Sequence, residues 1–140
     1  MTDRIFDRCN AVYVKNVRCK GRGVFANVPF KVGDVIDRAP TWAFEGDEAA
    51  ILNRTGLIEY YFVRDDLRQD GNNRVVGYVV FGFISLVNHS SNPNAETIWT
   101  DGEAGAWASI VAIKDIMVDE EITHRYKNIP DYPSKVKFIE

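Results

Sequence analysis

Along this chain, apolar residues recur in short alternating runs punctuated by Gly, Pro, Asn and Asp, and the helical spacing of three and four is almost absent. Strands are therefore predicted at Val12 to Val17, Gly23 to Val28, Asp34 to Arg38, Ile58 to Val63, Asn73 to Val80, Ala95 to Thr100, Ala106 to Ile113 and Glu121 to Tyr126. Turns are expected at Lys20–Gly23, Pro29–Asp34, Gln69–Asn73 and Asp101–Gly102, where residues that tolerate positive φ or preset a bend cluster. One short helix is predicted at Asp47 to Asn53, capped by Asp47 and stopped by Thr55-Gly56. The fold class read from this pattern is mostly β with little helix. Residues 127–140, with Pro130 and Pro133, read as an irregular tail.

The 140 residues, 46% of them hydrophobic, suffice for one core but not for two ordinary domains, so a single domain over 1–140 is expected, its centre about 11–126. Met1 to Asn10 mixes charges with isolated apolar residues and lacks the apolar run of a secretory signal. The longest apolar stretch, Val75 to Val87, is broken by Gly77, Gly82 and Ser85, so no membrane partner is expected and the location read from the sequence is intracellular, cytoplasmic or nuclear. Two cysteines (Cys9, Cys19) and two histidines (His89, His124) make no tetrahedral set at usual spacing, so no structural metal is implied. The net charge of −3 speaks against direct nucleic-acid binding and suits a basic protein or peptide partner better.

Three segments carry candidate chemistry. Lys20-Gly21-Arg22-Gly23 leads into the strand Val24-Phe25-Ala26, and glycines there either make a plain hairpin or let a ligand approach exposed amides. Leu86-Val87-Asn88-His89-Ser90-Ser91-Asn92-Pro93-Asn94-Ala95 reads as an Asx-rich turn, or as a pocket where Asn88 and His89 offer hydrogen bonds to a polar ligand. In Asp119-Glu120-Glu121-Ile122-Thr123-His124-Arg125-Tyr126, strand alternation puts Ile122, His124 and Tyr126 on one face, as packing or as the wall of a cavity.

In this order and spacing the three segments resemble those of SET-domain proteins, over roughly Ala11 to Tyr126. Phe30-Lys31-Val32-Gly33-Asp34-Val35-Ile36 and Ile113-Lys114-Asp115-Ile116 look like further signatures of that family. The resemblance implies several small sheets, a C-terminal pseudoknot, and a protein-lysine N-methyltransferase that uses S-adenosylmethionine. It implies that Lys20, Gly21, Arg22, Gly23, Val24 and Phe25 hold the methionine and ribose portions, and that Asn88 and His89 bind the carboxylate region and adenine. Tyr126 matches the family's active-site tyrosine, Tyr60 or Tyr61 would line the lysine channel, and Phe138 or Tyr132 would cover the cofactor. His124 and Arg125 replace the usual aromatic and Asp before that tyrosine, and Ser91 replaces a common cysteine. His124 thus bears on how many methyl groups are transferred. A second reading is a non-catalytic member that binds cofactor or peptide. The implied partner is a lysine-bearing protein, histone or other basic protein, and a domain this small leaves its channel open to completion by a second copy in a homodimer.

Overall fold

The structure is a computed structural model and describes residues 10–56, 60–64 and 75–126. Tail residues Tyr132 and Phe138 lie outside these. The described strands are β1 (Val12–Val17), β2 (Gly21–Ala26), β3 (Val35–Glu45), β4 (Val75–Val80), β5 (Asn88–His89), β6 (Ala95–Gly102), β7 (Gly105–Ala112) and β8 (Glu121–His124), with one helix, α1 (Gly46–Leu52), and a 3-10 turn at Phe83–Leu86. They form two four-stranded sheets of order β1-β2-β8-β5 and β4-β3-β7-β6.

Alternation explains the core. Val24 and Ile122 are cross-strand partners on one face of the first sheet, Ile36, Ala39, Ala108 and Ile110 belong to β3 and β7 of the second, and all are almost wholly buried. Phe30, Ile84 and Ile116 fill the space between, Phe30 and Ile116 being joined by an antiparallel bridge with N···O distances of 2.9 and 2.8 Å. Each of the buried Val, Ile and Phe side chains contributes about 1.5–3 kcal/mol of burial.

Strand β3 continues seven residues past its expected end at Arg38, through Pro40 to Glu45. Proline ends a central strand when its missing N–H is needed. Here the β3–β4 ladder starts only at Thr41↔Val80, and the Pro40 carbonyl still accepts from the Phe81 N–H at 3.0 Å, so the missing donor falls at the ladder's end. The helix begins one residue earlier than predicted, and its N-cap is Glu45 instead of Asp47. The Glu48 carboxylate accepts from the Glu45 N–H at 3.2 Å, the reciprocal bond of a capping box.

The partly buried Asp37 carboxylate sits under the 3-10 turn. Burial pushes the Asp37 carboxyl above its ordinary range, and backbone N–H groups of Arg38, Phe83 and Ile84 only partly offset this. A folded state that holds the proton more tightly is most stable, relative to the unfolded chain, below the ordinary carboxyl pKa, and loses that advantage as pH rises through the raised folded value. Asp37→Asn removes this dependence. Melting of the two proteins across that window should shift steadily in the variant's favour as pH rises; a constant difference would show that Asp37 titrates as an ordinary carboxylate.

Candidate active site

Strand β8 is the centre of the site because it is held from three directions. It pairs antiparallel with β2 (Val24↔Ile122, Phe25↔Glu121) and parallel with the two-residue β5 (Asn88↔Thr123, His89↔His124). The third hold is a side chain. The buried Asn94 Nδ2 donates to the Glu121 carbonyl at 2.8 Å and to the Glu120 carboxylate at 3.2 Å, while its Oδ1 accepts from the Thr123 N–H at 2.9 Å. An Asn amide has the donor and acceptor of a peptide group, so Asn94 acts as one further rung of sheet.

Beyond β8 the chain reaches Tyr126, which the Val87–His89 segment fixes at both ends. The Tyr126 N–H donates to His89 Nδ1 at 3.0 Å, and the Tyr126 hydroxyl donates to the Val87 carbonyl at 3.1 Å. His89 is buried, and accepting at Nδ1 places its proton on Nε2. The expected common face is present: His124 and Tyr126 meet edge to face with centroids 5.2 Å apart, and the His89 and Tyr126 rings lie 5.3 Å apart. His124 Nδ1 is 2.9 Å from Thr97 Oγ1, and the His124 ring also meets Phe62 at 5.6 Å, tilted by 30°.

Phe62 was not singled out by the sequence. Of the aromatic run 60–62 it is the ring that meets His124, because it bridges Tyr78 on β4 through two 2.8 Å hydrogen bonds and packs on Trp99 at 6.1 Å. Tyr61 points elsewhere, its ring edge-on to Phe44 at 5.0 Å and its hydroxyl donating to Asn53 Oδ1 at 2.9 Å, while Tyr60 is exposed. Alternation could have separated Phe62 from Tyr61, but not chosen between Phe62 and Tyr60.

The glycine hairpin flanks the other side. Gly23 faces inward, and a Cβ there would stand 2.7 Å from Glu121 Oε2 and Val17 Cγ2 and 3.0 Å from Asn88 Nδ2. The glycine thus makes room for the Asn88 amide, which donates to Glu121 Oε2 at 2.8 Å and to the Arg22 carbonyl at 3.1 Å. Val24 and Phe25 are buried, and Phe25 stacks on Tyr13 at 5.7 Å with Lys15 Nζ 4.2 Å from its centroid. Gly21 differs: its φ is +79° and nothing lies within 4 Å of the position a Cβ would take. Beside it, Lys20 and Arg22 form no ion pair among the described residues. An open glycine turn between two uncommitted cations fits the carboxylate of an amino-acid-bearing ligand.

Among the described residues, no group of three or more His, Cys, Asp or Glu could hold a metal ion, and no helix is long and apolar enough to cross a membrane.

Comparison with known proteins agrees with this architecture. The model of the family described as "SET domain" matches residues 21–127. The histone-lysine N-methyltransferase of Schizosaccharomyces pombe specific for H3 lysine-37 is 26% identical over 114 residues, covering 81% of this chain and 71% of that protein. The fold is shared with a Plasmodium falciparum chain solved as a candidate histone methyltransferase (TM-score 0.65, 24% identity, 84% of this chain and 93% of that one). It is shared too with the Neurospora SET domain protein DIM-5, a histone lysine methyltransferase (TM-score 0.68, 21% identity, 95% of this chain and 56% of that one).

Proposed function

This chain belongs to the SET-domain family, and from that premise we propose that it is a protein-lysine N-methyltransferase using S-adenosylmethionine. The observation that carries the reading is the double fixing of Tyr126, by His89 Nδ1 at its backbone and by the Val87 carbonyl at its hydroxyl, beside the His124 ring.

When bound, S-adenosylmethionine supplies an electrophilic methyl group on a positive sulfur. Lys20, Gly21 and Arg22 would hold its methionine portion, the two cations favouring the carboxylate end, and the Asn88-His89 segment would complete the carboxylate region and meet the adenine; the Asn88 Nδ2 is committed internally, which leaves its Oδ1 for a ligand. The displacement needs a neutral amine, alignment and exclusion of water, so the protein's contribution is position. The Tyr126 hydroxyl gives its proton to the Val87 carbonyl, which leaves the lone pairs of its Oη able to orient a polarised methyl group through weak C–H···O contacts and to accept from the lysine N–H. The rings of His124, Phe62 and Tyr126 wall the channel, and the positive sulfonium of a bound cofactor would disfavour the charged ammonium there and so favour the reactive amine. The partner is a lysine-bearing basic protein, with histones first among candidates because the relatives above carry that name.

Calorimetric titration with the cofactor tests the site. Saturable binding is expected, weakened at least about tenfold in Lys20→Gln/Arg22→Gln, the loss typical of charge-assisted bonds. Binding unchanged in that variant would move the cofactor elsewhere. Binding without turnover on any protein would leave the non-catalytic module.

A further inference from the structure

One face of β6 presents Thr97, Trp99 and Asp101 at every second position, and each holds one residue of the site's outer wall. Thr97 Oγ1 meets His124 Nδ1 at 2.9 Å, Trp99 packs on Phe62 at 6.1 Å, and Asp101 accepts from Arg64 Nη1 at 2.8 Å, with a longer Nη2 contact of 3.5 Å. Phe62 and Arg64 alternate in the same way on the opposing segment. The Arg64 guanidinium lies over the same Trp99 ring at 5.4 Å and over Tyr78 at 5.7 Å.

The burial of this pair is one-sided. The Arg64 side chain is 3% exposed and that of Asp101 71%. A cation removed from water needs its partners, and two aromatic faces and one carboxylate are among those it has here. The carboxylate stays solvated, so its own desolvation cost is small. A guanidinium so held has little freedom to slide, unlike an ordinary surface pair. Segment 60–64 is also tied by the Phe62↔Tyr78 bridge and, on its other face, by Tyr61 against Phe44 and Asn53. A bridge fixes the backbone of one residue; Arg64 fixes the rotation of the segment about it, and that rotation sets where the Phe62 ring stands against His124.

We propose that Arg64, latched by Asp101, is a positioning residue for the lysine channel: it holds Phe62 against His124 and so sets the room available to a lysine that already carries methyl groups. This rests on the function proposed above. Arg64 touches no reacting atom. Its effect passes through Phe62, so it should appear in substrate handling and product distribution and leave cofactor binding alone.

The test uses Asp101→Ala, which removes an exposed carboxylate without opening the core, with Asp101→Glu as the conservative rescue. Histone octamers and S-adenosylmethionine are the probes, read by mass spectrometry as the ratio of mono- to higher-methylated lysine and as KM against kcat. The expected result is a product ratio or KM for protein changed about three- to tenfold in Asp101→Ala, the scale of a partly buried ion pair. Cofactor affinity should be unchanged, and Asp101→Glu should recover most of the effect. A folded Asp101→Ala with wild-type ratio and KM overturns the proposal, as does a loss confined to cofactor affinity. A second readout separates this idea from the assigned activity: nuclear Overhauser contacts between the Phe62 and His124 rings should weaken in Asp101→Ala and return in Asp101→Glu. If the wild-type protein methylates nothing, the proposed function fails, and the ring contacts alone decide the latch; contacts identical in all three proteins refute it.

Discussion

Tyr126→Phe should lower methyl transfer by one to three orders of magnitude while leaving cofactor affinity within about twofold, on the ~10² to 10³ scale of deleting one oriented group at a reacting centre. The ring remains, so its contacts with His89 and His124 at 5.3 and 5.2 Å are kept, as is the backbone bond to His89 Nδ1. What is lost is the hydroxyl and its bond to the Val87 carbonyl. Because the hydroxyl is assigned to the reacting centre and not to ground-state binding, the loss belongs in kcat. Single-turnover rates with saturating cofactor measure it directly. Full activity in this variant would reduce Tyr126 to a packing residue.

Asn94→Ala should be the most destabilising polar substitution in the second half of the chain, costing about 2–4 kcal/mol. The substitution deletes one side chain but strands the Thr123 N–H and the Glu121 carbonyl, both of which Asn94 pairs on a largely buried strand. Against a total stability of ~5–15 kcal/mol, this lowers the melting temperature by on the order of 10 °C. Asn94→Asp sharpens the test. It keeps the acceptor for Thr123 but sets a carboxylate where Nδ2 met the Glu120 carboxylate and the Glu121 carbonyl, so its deficit should grow as pH rises from acid to neutral. An Asn94→Ala protein that melts with the wild type would mean that β2 and β5 alone hold β8.

The fold was legible where two-residue periodicity was unbroken. Val12–Val17 forms as drawn, and β6 and β7 differ from expectation by a residue or two at their ends. It was less legible where a long-range partner decides. β5 is only Asn88 and His89, too short for a periodic signal, and exists because β8 passes beside it. The second half of β3 was hidden by Pro40, whose cost depends on where the neighbouring ladder begins. The candidate site shows the same division. Tyr126, Asn88 and His89 stood out by residue type, order and spacing, but the tasks of their side chains did not. His89 serves as an acceptor for a peptide N–H and Asn88 spends its amide protons inside the protein, facts that depend on which backbone groups β8 leaves facing them. Thr97, Trp99, Asp101 and Arg64 carried no local signal, since their meaning lies in contacts of β6 with Phe62 and Arg64, more than thirty residues earlier, and with His124 on β8.

The central claim is transfer of a methyl group to lysine, and the most direct measurement is mass spectrometry of histone octamers and other lysine-rich basic proteins incubated with the chain and methyl-labelled S-adenosylmethionine. Labelled methyl groups on defined lysine side chains, absent without cofactor and strongly reduced with Tyr126→Phe, are the expected result. Label that appears on no lysine of any protein, although the cofactor binds at saturation, would contradict it.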